Sequence, residues 1–259
     1  LNVLDSLLLP AYGYGDADVN ELLIGTSLKK VDMSAVESVT ESFYNDAPLT
    51  FTNKTTLVEV KVKDGLKVEV PNFFKGTGLT KVEGKIDITN APGIFEGVTT
   101  LDSVAITGTV IPERAFSGAT AIAKVAVNGA QVKPTTVGAN AFNNTQALTT
   151  MDLSATTTIG ANAFTGSGLA YSAKDVALMT VGATTIGANA FENTALTKVD
   201  FKNATSVGNN ILKEVEVTAV QFQKAFTVDE SATTQWGEHM FGKNSAIKVT
   251  LYVAKDQKY

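Results

Sequence analysis

The sequence of 259 residues predicts a repeat solenoid with a parallel β-sheet on one face and short helical or 3-10 turns and loops on the other. Three observations predict this fold. The phrase TTIGANAF occurs letter for letter at 157–164 and 184–191, and the closely similar TVGANAF occurs at 136–142. An apolar triplet recurs along nearly the whole chain, and an aromatic residue precedes most of its copies. Such repetition, at intervals of roughly 21 to 29 residues, is the signature of stacked structural units.

The apolar triplet consists of a start residue and apolar residues three and five places later. Because alternate residues of a strand share a face, the plus-three and plus-five residues should enter a core, while plus-two and plus-four should face solvent. The start residues are Leu4, Leu28, Leu57, Leu79, Leu101, Ile122, Leu148, Ala173, Leu196, Val217 and Ala246. The plus-three residues are Leu7, Val31, Val60, Val82, Val104, Val125, Met151, Val176, Val199, Val220 and Val249. The plus-five residues are Leu9, Met33, Val62, Ile106, Val127, Leu153, Leu178, Phe201, Phe222 and Leu251, with Gly84 as the exception.

An aromatic residue stands five or six places before most start residues, and these residues should stack as a buried spine. A buried phenylalanine contributes roughly 1.5 to 3 kcal/mol of transfer free energy, so the stack should stabilise every coil. The spine residues are Phe74, Phe95, Phe116, Phe142, Phe164, Phe191, Leu212 and Phe241.

The turns of the solenoid are predicted from glycine and asparagine. Two places after the spine residue the chain often has a residue that tolerates a left-handed conformation, as at a helical C-terminus. In TTIGANAF, Ile186 and Phe191 should be core residues, Gly187 should permit a bend, and ANAF should form one tight helical turn. The residues expected to be left-handed are Gly76, Gly97, Gly118, Asn144, Gly166 and Asn193.

The repeats predict one domain, a single solenoid of about eleven coils over residues 1–259. Residues 1–27 form a partial N-terminal repeat in this interpretation, and residues 223–259 form a long, atypical C-terminal repeat and cap. Because the pattern is already running at Leu4, a signal sequence is expected upstream of Leu1.

The motif LxxVxF, followed by a loop and IGxxAFxxxxL, resembles the BspA-type leucine-rich repeat. The best copies are IPERAFSGATAI at 111–122 and IGANAFENTAL at 186–196, and the ending LYVAKDQKY resembles the closing unit of that family. The resemblance covers nearly the whole chain. It implies a right-handed leucine-rich-repeat solenoid used for adhesion or protein binding on the surface of anaerobic bacteria. It supplies no catalytic residues.

Composition argues against several classes of function. The net charge is -5, and Arg114 is the one arginine, so there is no basic stripe for nucleic acid. The chain has no cysteine and one histidine, His239, which removes thiolate metal sites and most catalytic triads. The segment DADVN at 16–20 imitates a calcium loop, but Glu21 stands where glycine is required. No catalytic residue, cofactor or metal is predicted, and no apolar run is long enough to cross a membrane.

The predicted outward rows of the sheet supply the candidate binding residues. No two acids neighbour each other in the plus-four row and no two lysines in the plus-two row, as stacked rungs require, since like charges at neighbouring rungs would repel. The rows therefore fit either a solvated surface of mixed charge or a docking surface. Tyrosine and tryptophan in the longer loops could add contacts or cover the ends of the core. The candidates are Lys30, Asp32, Lys61, Glu83, Lys124, Asp152, Lys198, Asp200, Tyr12, Tyr14 and Trp236.

The sequence therefore predicts a non-enzymatic binding module outside the cytoplasm, either lipid-anchored or secreted. Its expected ligand is a protein or a glycan, including a host extracellular-matrix protein, bound through the solenoid face. The alternative is a structural spacer in a surface protein. A polysaccharide-active enzyme on a β-helix is the rival from another class, although no pair of carboxylates at glycosidase spacing stands in the outward rows.

Overall fold

The computed structural model describes residues 5–9, 27–40, 49–127, 129–170, 178–201, 203–222, 227–228, 240 and 250–252. The chain divides into unit 1, Leu1–Gly108 with Arg114–Gln131, and unit 2, Thr109–Glu113 with Val132–Tyr259. Each unit consists of short strands stacked in parallel and joined by tight turns, which confirms the predicted solenoid fold. The continuity of one solenoid of eleven coils, and the two terminal segments assigned to it, stay predictions.

The described residues of unit 1 form three sheets. The strands are β1 (Ser6–Leu8), β2 (Lys30–Met33), β3 (Ser38–Val39), β4 (Glu59–Val62), β5 (Leu66–Val68), β6 (Lys81–Glu83), β7 (Ile86–Asp87), β8 (Ser103–Ala105), β10 (Lys124–Val127) and β11 (Ala130–Gln131). One sheet has the order β1-β2-β4-β6 and a second the order β3-β5-β7, both parallel. In the third sheet β8 and β10 are parallel, and β11 folds back antiparallel to β10.

Unit 2 contains two parallel sheets. The strands are β9 (Val110–Ile111), β12 (Thr136–Val137), β13 (Thr158–Ile159), β14 (Met179–Thr180), β15 (Thr185–Ile186), β16 (Lys198–Phe201), β17 (Ser206–Val207), β18 (Ala219–Phe222), β19 (Thr227–Val228) and β20 (Thr250–Tyr252). The first sheet has the order β19-β17-β15-β13-β12-β9 and the second the order β14-β16-β18-β20.

The strand registers align the predicted triplets. In unit 1, Val31 lies opposite Val60 and Val60 lies opposite Val82, and in unit 2 Val199 lies opposite Val220. Nearly all of the described plus-three and plus-five residues are buried, as expected for side chains that alternate across a strand. Leu7 and Val82 are only half-buried. Beside Val82 the plus-five position is Gly84, which has no side chain to cover it.

The plus-five prediction is wrong at Val127, which is half-buried, while the plus-four residue Ala126 is buried. The physical reason is the hairpin of β10 and β11, which the repeat pattern did not predict. Val127 lies opposite Ala130 in an antiparallel pair, and Gly129 adopts a φ of 80° in the turn between them.

The predicted register at Ala173 is also wrong. Met179, not Val176, lies opposite Val199, and Thr180 lies opposite Asp200. Leu169 is fully buried five places after Phe164, so it occupies the start position of this coil. Residues 171–177, which the structure does not describe, therefore separate the start residue from its strand. Of the predicted core residues of this coil, Ala173 and Val176 lie outside the described residues, and Leu178 is only half-buried.

The phenylalanine spine is confirmed within each unit. Phe142, Phe164 and Phe191 of unit 2 stack with ring centroids 5.4 and 5.5 Å apart and nearly parallel planes. In unit 1, Phe74, Phe95 and Phe116 stack at 5.7 and 5.5 Å, and Phe51 adds a further ring that sequence reasoning missed. Every ring is fully buried. Leu212 is buried as the expected substitute, and Phe241 lies outside the described residues.

The turns use left-handed residues at two places in each coil. All six glycines and asparagines predicted two places after the spine residue have positive φ. The structure adds a second site two places before the spine residue. The residues at this second site are Asn72, Gly93, Arg114, Asn140, Asn162, Asn189 and Asn210. The asparagine of each ANAF phrase thus supplies a turn conformation that most L-residues adopt at a cost. Because this asparagine is left-handed, ANAF forms a turn and not the predicted helical turn.

Candidate docking surface

Four of the predicted site residues meet on one sheet of unit 1. In the register of β1, β2, β4 and β6, the plus-four residues Asp32, Lys61 and Glu83 follow one another, and Lys30 lies opposite Glu59 in the plus-two row. Strand alternation turns these side chains outward, while Val31, Val60 and Val62 are buried beneath them. We call the outward side chains of this sheet the charged face, formed by Lys30, Asp32, Glu59, Lys61, Lys81 and Glu83.

The charges of this face form a connected network. Glu59 accepts from Lys30 at 2.7 Å and from Lys81 at 2.9 Å, and Lys81 also bonds Glu83 at 3.0 Å. Lys61 lies 3.8 Å from Asp32. The lysines and acids that were predicted to alternate therefore form ion pairs between neighbouring strands. Glu59 and Lys81 join the network, although neither was among the candidate residues. Both residues could have been found from the sequence, because Lys30, Glu59 and Lys81 follow one another with alternating charge in the plus-two row.

Pairing shifts the protonation of the network. Hydrogen bonds from Lys30 and Lys81 lower the pKa of Glu59 to about 2, and the Glu59 and Glu83 carboxylates raise the pKa of Lys81. Hydrogen bonds from Ser34 lower the pKa of Asp32, with Lys61 adding a smaller effect. These shifts keep Asp32, Glu59 and Lys81 charged at neutral pH, which suits electrostatic recognition. The lowered pKa of Glu59 does not suit a general acid, which must hold a proton near the working pH.

An open depression lies on this face. Its volume is about 340 Å³, and it is lined by Ser6, Leu7, Leu8, Lys30, Val31, Asp32, Glu59, Lys61 and Glu83. Leu8 is 63% exposed, and it is the one large hydrophobic side chain so exposed among the described residues. It lies opposite Asp32 in the register. The depression thus combines an apolar contact with charges of both signs, as protein interfaces often do.

Lys124, in unit 1, lies on a different sheet from the charged face. It is exposed on β10, and its Nζ donates to the carbonyl oxygen of Gly129 at 2.7 Å. This bond closes the hairpin of β10 and β11. The structure therefore gives Lys124 a local structural contact.

The remaining charged candidates belong to unit 2. Asp152 pairs with Lys133 at 2.8 Å and accepts the backbone N–H of Ser154 at 3.0 Å. The hydrogen bonds from Lys133 and Ser154 lower its pKa to about 2. Lys198 is partly exposed on β16. Asp200 was expected to face solvent but is 8% exposed, so its placement on an open outward row is wrong.

The aromatic candidates Tyr12, Tyr14 and Trp236 lie outside the described residues, as do His239 and the DADVN segment. In the part of the chain that is described, no group of three or more His, Cys, Asp or Glu side chains could hold a metal ion. The described helices include none that is long and apolar enough to cross a bilayer.

A groove that sequence reasoning did not find lies elsewhere in unit 1. It has a volume of about 380 Å³ and is lined by Thr50, Thr52, Asn53, Val70, Pro71, Asn72 and Lys75. The Thr52 hydroxyl donates to the Asn72 carbonyl at 2.7 Å, and Lys75 pairs with Glu96 at 3.0 Å. The Thr50 and Thr52 hydroxyls also bond each other at 2.7 Å, while the buried Oδ1 atom of Asn72 has no hydrogen-bond partner.

The chain matches the sequence model of a known protein family. A family described as BspA type leucine rich repeat region matches in six copies, over residues 27–133, 91–219 and 172–251. Together these ranges cover most of the chain and include residues of both units. No curated protein and no solved structure gives a significant match.

Proposed function

Because the chain belongs to the BspA-type leucine-rich repeat family, we propose that it is a non-enzymatic module that binds a protein outside the cytoplasm. Repeat solenoids present extended surfaces to large partners, and they are typically not enzymes. The family is associated with bacterial surface proteins, which supports a location at the cell surface or in the medium.

The charged face of unit 1 is the proposed docking surface, and the depression beside Leu8 is the observation that carries it. An exposed leucine amid Asp32, Lys61 and Glu83 offers an apolar anchor with charged neighbours. Lysines and acids alternate there, so a partner must place acids opposite the lysines and basic groups opposite the acids. This requirement favours one orientation of the partner on the face. An extracellular-matrix protein is the partner class that we propose.

Binding to purified matrix proteins tests this proposal. Fibronectin, fibrinogen, laminin and collagen would be immobilised and the chain passed over them in biolayer interferometry. We expect the double variant Leu8→Asp with Lys61→Glu to weaken binding at least tenfold, because it removes the apolar contact and reverses one charge. Lys67→Ala, on β5 of the other sheet, is the control and should bind as the wild type does. Equal binding by the double variant would exclude the charged face.

A structural spacer is the second candidate. It is favoured by the pairing of Lys30, Glu59, Lys81 and Glu83 with one another, because a self-neutralised surface has little charge left for a partner. Failure of the wild type to bind any of the matrix proteins, with intact folding, would favour the spacer. Turnover of a polysaccharide would instead support the enzyme alternative.

A further inference from the structure

A second face of the molecule carries hydroxyl groups instead of charges. In unit 2, four rungs of the six-stranded sheet have the segments TTVGAN (135–140), TTIGAN (157–162), TTIGAN (184–189) and TSVGNN (205–210), none with a charged residue. The strand registers place Thr136, Thr158, Thr185 and Ser206 in one column. The preceding residues, Thr135, Thr157, Thr184 and Thr205, are all exposed. We call these two columns the hydroxyl face.

The two columns differ in their hydrogen bonds. In the first, the Thr157 hydroxyl donates to the carbonyl of Thr135 at 3.0 Å, and Thr184 donates to Thr157 at 3.1 Å. These bonds fix the side chains in one orientation from rung to rung. In the second, the hydroxyls of Thr158, Thr185 and Ser206 have no hydrogen-bond partner among the described residues, and all three are exposed. The face is thus ordered before binding and has hydrogen-bonding capacity left for a ligand.

The solenoid fold does not require the outward column of such a sheet to be uncharged. In unit 1 the sheet of β3, β5 and β7 aligns Ser38 with Lys67 and Lys67 with Asp87 in the outward column. Charged side chains are therefore compatible with such a sheet. The rungs of unit 2 also carry small, half-buried residues beyond the threonines, at Ala161 and Ala188.

We propose that the hydroxyl face binds an extended, uncharged polysaccharide. A charged polymer would lose hydration there without finding an opposite charge, and an apolar partner would bury the free hydroxyls of Thr158 and Thr185 without partners. A chain rich in hydroxyl groups can satisfy them, while the threonine methyl groups contact the apolar faces of its sugar rings.

The repeat of the face argues for a polymer over a single sugar. Parallel strands place equivalent hydroxyls about 4.8 Å apart along the column. The length of one sugar unit in an extended β-linked chain is close to this spacing, and successive units face opposite ways, so every second unit can make the same contacts with every second rung. Contacts that are weak singly then add along the polymer.

Retention on neutral polysaccharides tests the proposal. The folded chain would be mixed with microcrystalline cellulose and chitin, and run through gels containing xyloglucan, with polygalacturonate and heparin as charged probes. Thr158→Val with Thr185→Val removes two hydroxyls and keeps the side-chain shape. Thr158→Lys with Thr185→Lys adds the charge that unit 1 carries at Lys67. We expect the wild type to be retained on at least one neutral polymer. Retention should fall at least tenfold in the valine variant, and the lysine variant should not be retained.

Lys61→Glu, on the charged face, separates this proposal from protein binding and should leave polysaccharide retention unchanged. Circular dichroism and thermal melting would establish that each variant is folded. Absence of retention on every neutral polymer, retention on the anionic probes alone, or undiminished retention of the valine variant would each overturn the proposal. Dimerisation of the wild type that the lysine variant abolishes would assign the face to a second copy of the chain instead.

Discussion

Gly187 lies against the backbone of Ala161 in the preceding coil: a Cβ atom at Gly187 would be 2.8 Å from the Cα of Ala161. The same approach recurs at Gly138, Gly160 and Gly208, and none of these glycines has a positive φ. Each donates its N–H to the strand of the preceding coil, as Gly187 does to Ile159 at 2.8 Å. The glycine of TTIGANAF is therefore needed for close packing of coils, a role that the sequence analysis did not predict.

Gly187→Ala should lower the free energy of unfolding by about 1 to 3 kcal/mol, because the added methyl group forces neighbouring backbone apart. Urea denaturation followed by circular dichroism measures the change. Gly65→Asn is the matched control: Gly65 has a φ of 85° with open space around it, and asparagine tolerates that conformation. Wild-type stability in Gly187→Ala would show that the coils can separate at no cost.

Phe191→Ala should cost about 3 to 5 kcal/mol of stability, the usual loss for a fully buried phenylalanine. Its ring stacks 5.5 Å from Phe164 and lies 5.9 Å from Phe201, so truncation leaves a cavity between coils. Lys198→Ala, on the adjacent strand, should change stability by less than about 0.5 kcal/mol. Thermal unfolding compares the two. A larger loss at Lys198 than at Phe191 would reverse the assignment of core and surface.

Features that depend on local spacing could be predicted from sequence. The phenylalanine spine and the left-handed residues after it were correct because Phe164 and Gly166 recur at fixed intervals. Features that depend on distant pairing could not. The β11 hairpin requires knowing that Ala130 lies opposite Val127, and the insertion after Leu169 hides the partner of Val199.

The sequence likewise predicted part of the candidate site. Alternate outward residues of strands identified Lys30, Asp32, Lys61 and Glu83, which do share one sheet. Burial of Asp200 was not visible, because side-chain cover comes from packing that the spacing does not encode. The left-handed asparagines before the spine could have been found, since Asn162 and Asn189 hold the same place in two identical phrases.

Arg114→Asn should stabilise unit 1 by about 1 kcal/mol. Arg114 has a φ of 54°, a conformation that costs most L-residues on that order and that asparagine tolerates better. The contact of its Nε with Glu96 is long, at 3.9 Å, and partly exposed, so its loss should cost little. Arg114→Ala removes the same charge but keeps the strain, and we expect no gain from it. A lower unfolding midpoint for Arg114→Asn than for the wild type would contradict this account.

Stability should depend on pH through Glu59. Its pKa falls from 4.5 in the unfolded chain to about 2 in the folded protein, because Lys30 and Lys81 bond the carboxylate. A group with a lowered folded pKa stabilises the fold above its unfolded pKa, and the contribution disappears as the pH falls through the folded value. Glu59→Gln should therefore be less stable than the wild type at pH 7, and the difference should shrink between pH 4.5 and about 2.

Urea midpoints of both proteins over this pH range measure the effect, and Glu69→Gln serves as the control because Glu69 is exposed and has no ion pair among the described residues. Since Glu59 sits between two lysines that lie in the open, the difference at pH 7 should also be smaller in 1 M salt, where the Debye length is about 3 Å. A difference between wild type and Glu59→Gln that is constant from pH 7 to pH 2 would mean that the lost hydrogen-bond geometry, and not the charge, supports the sheet.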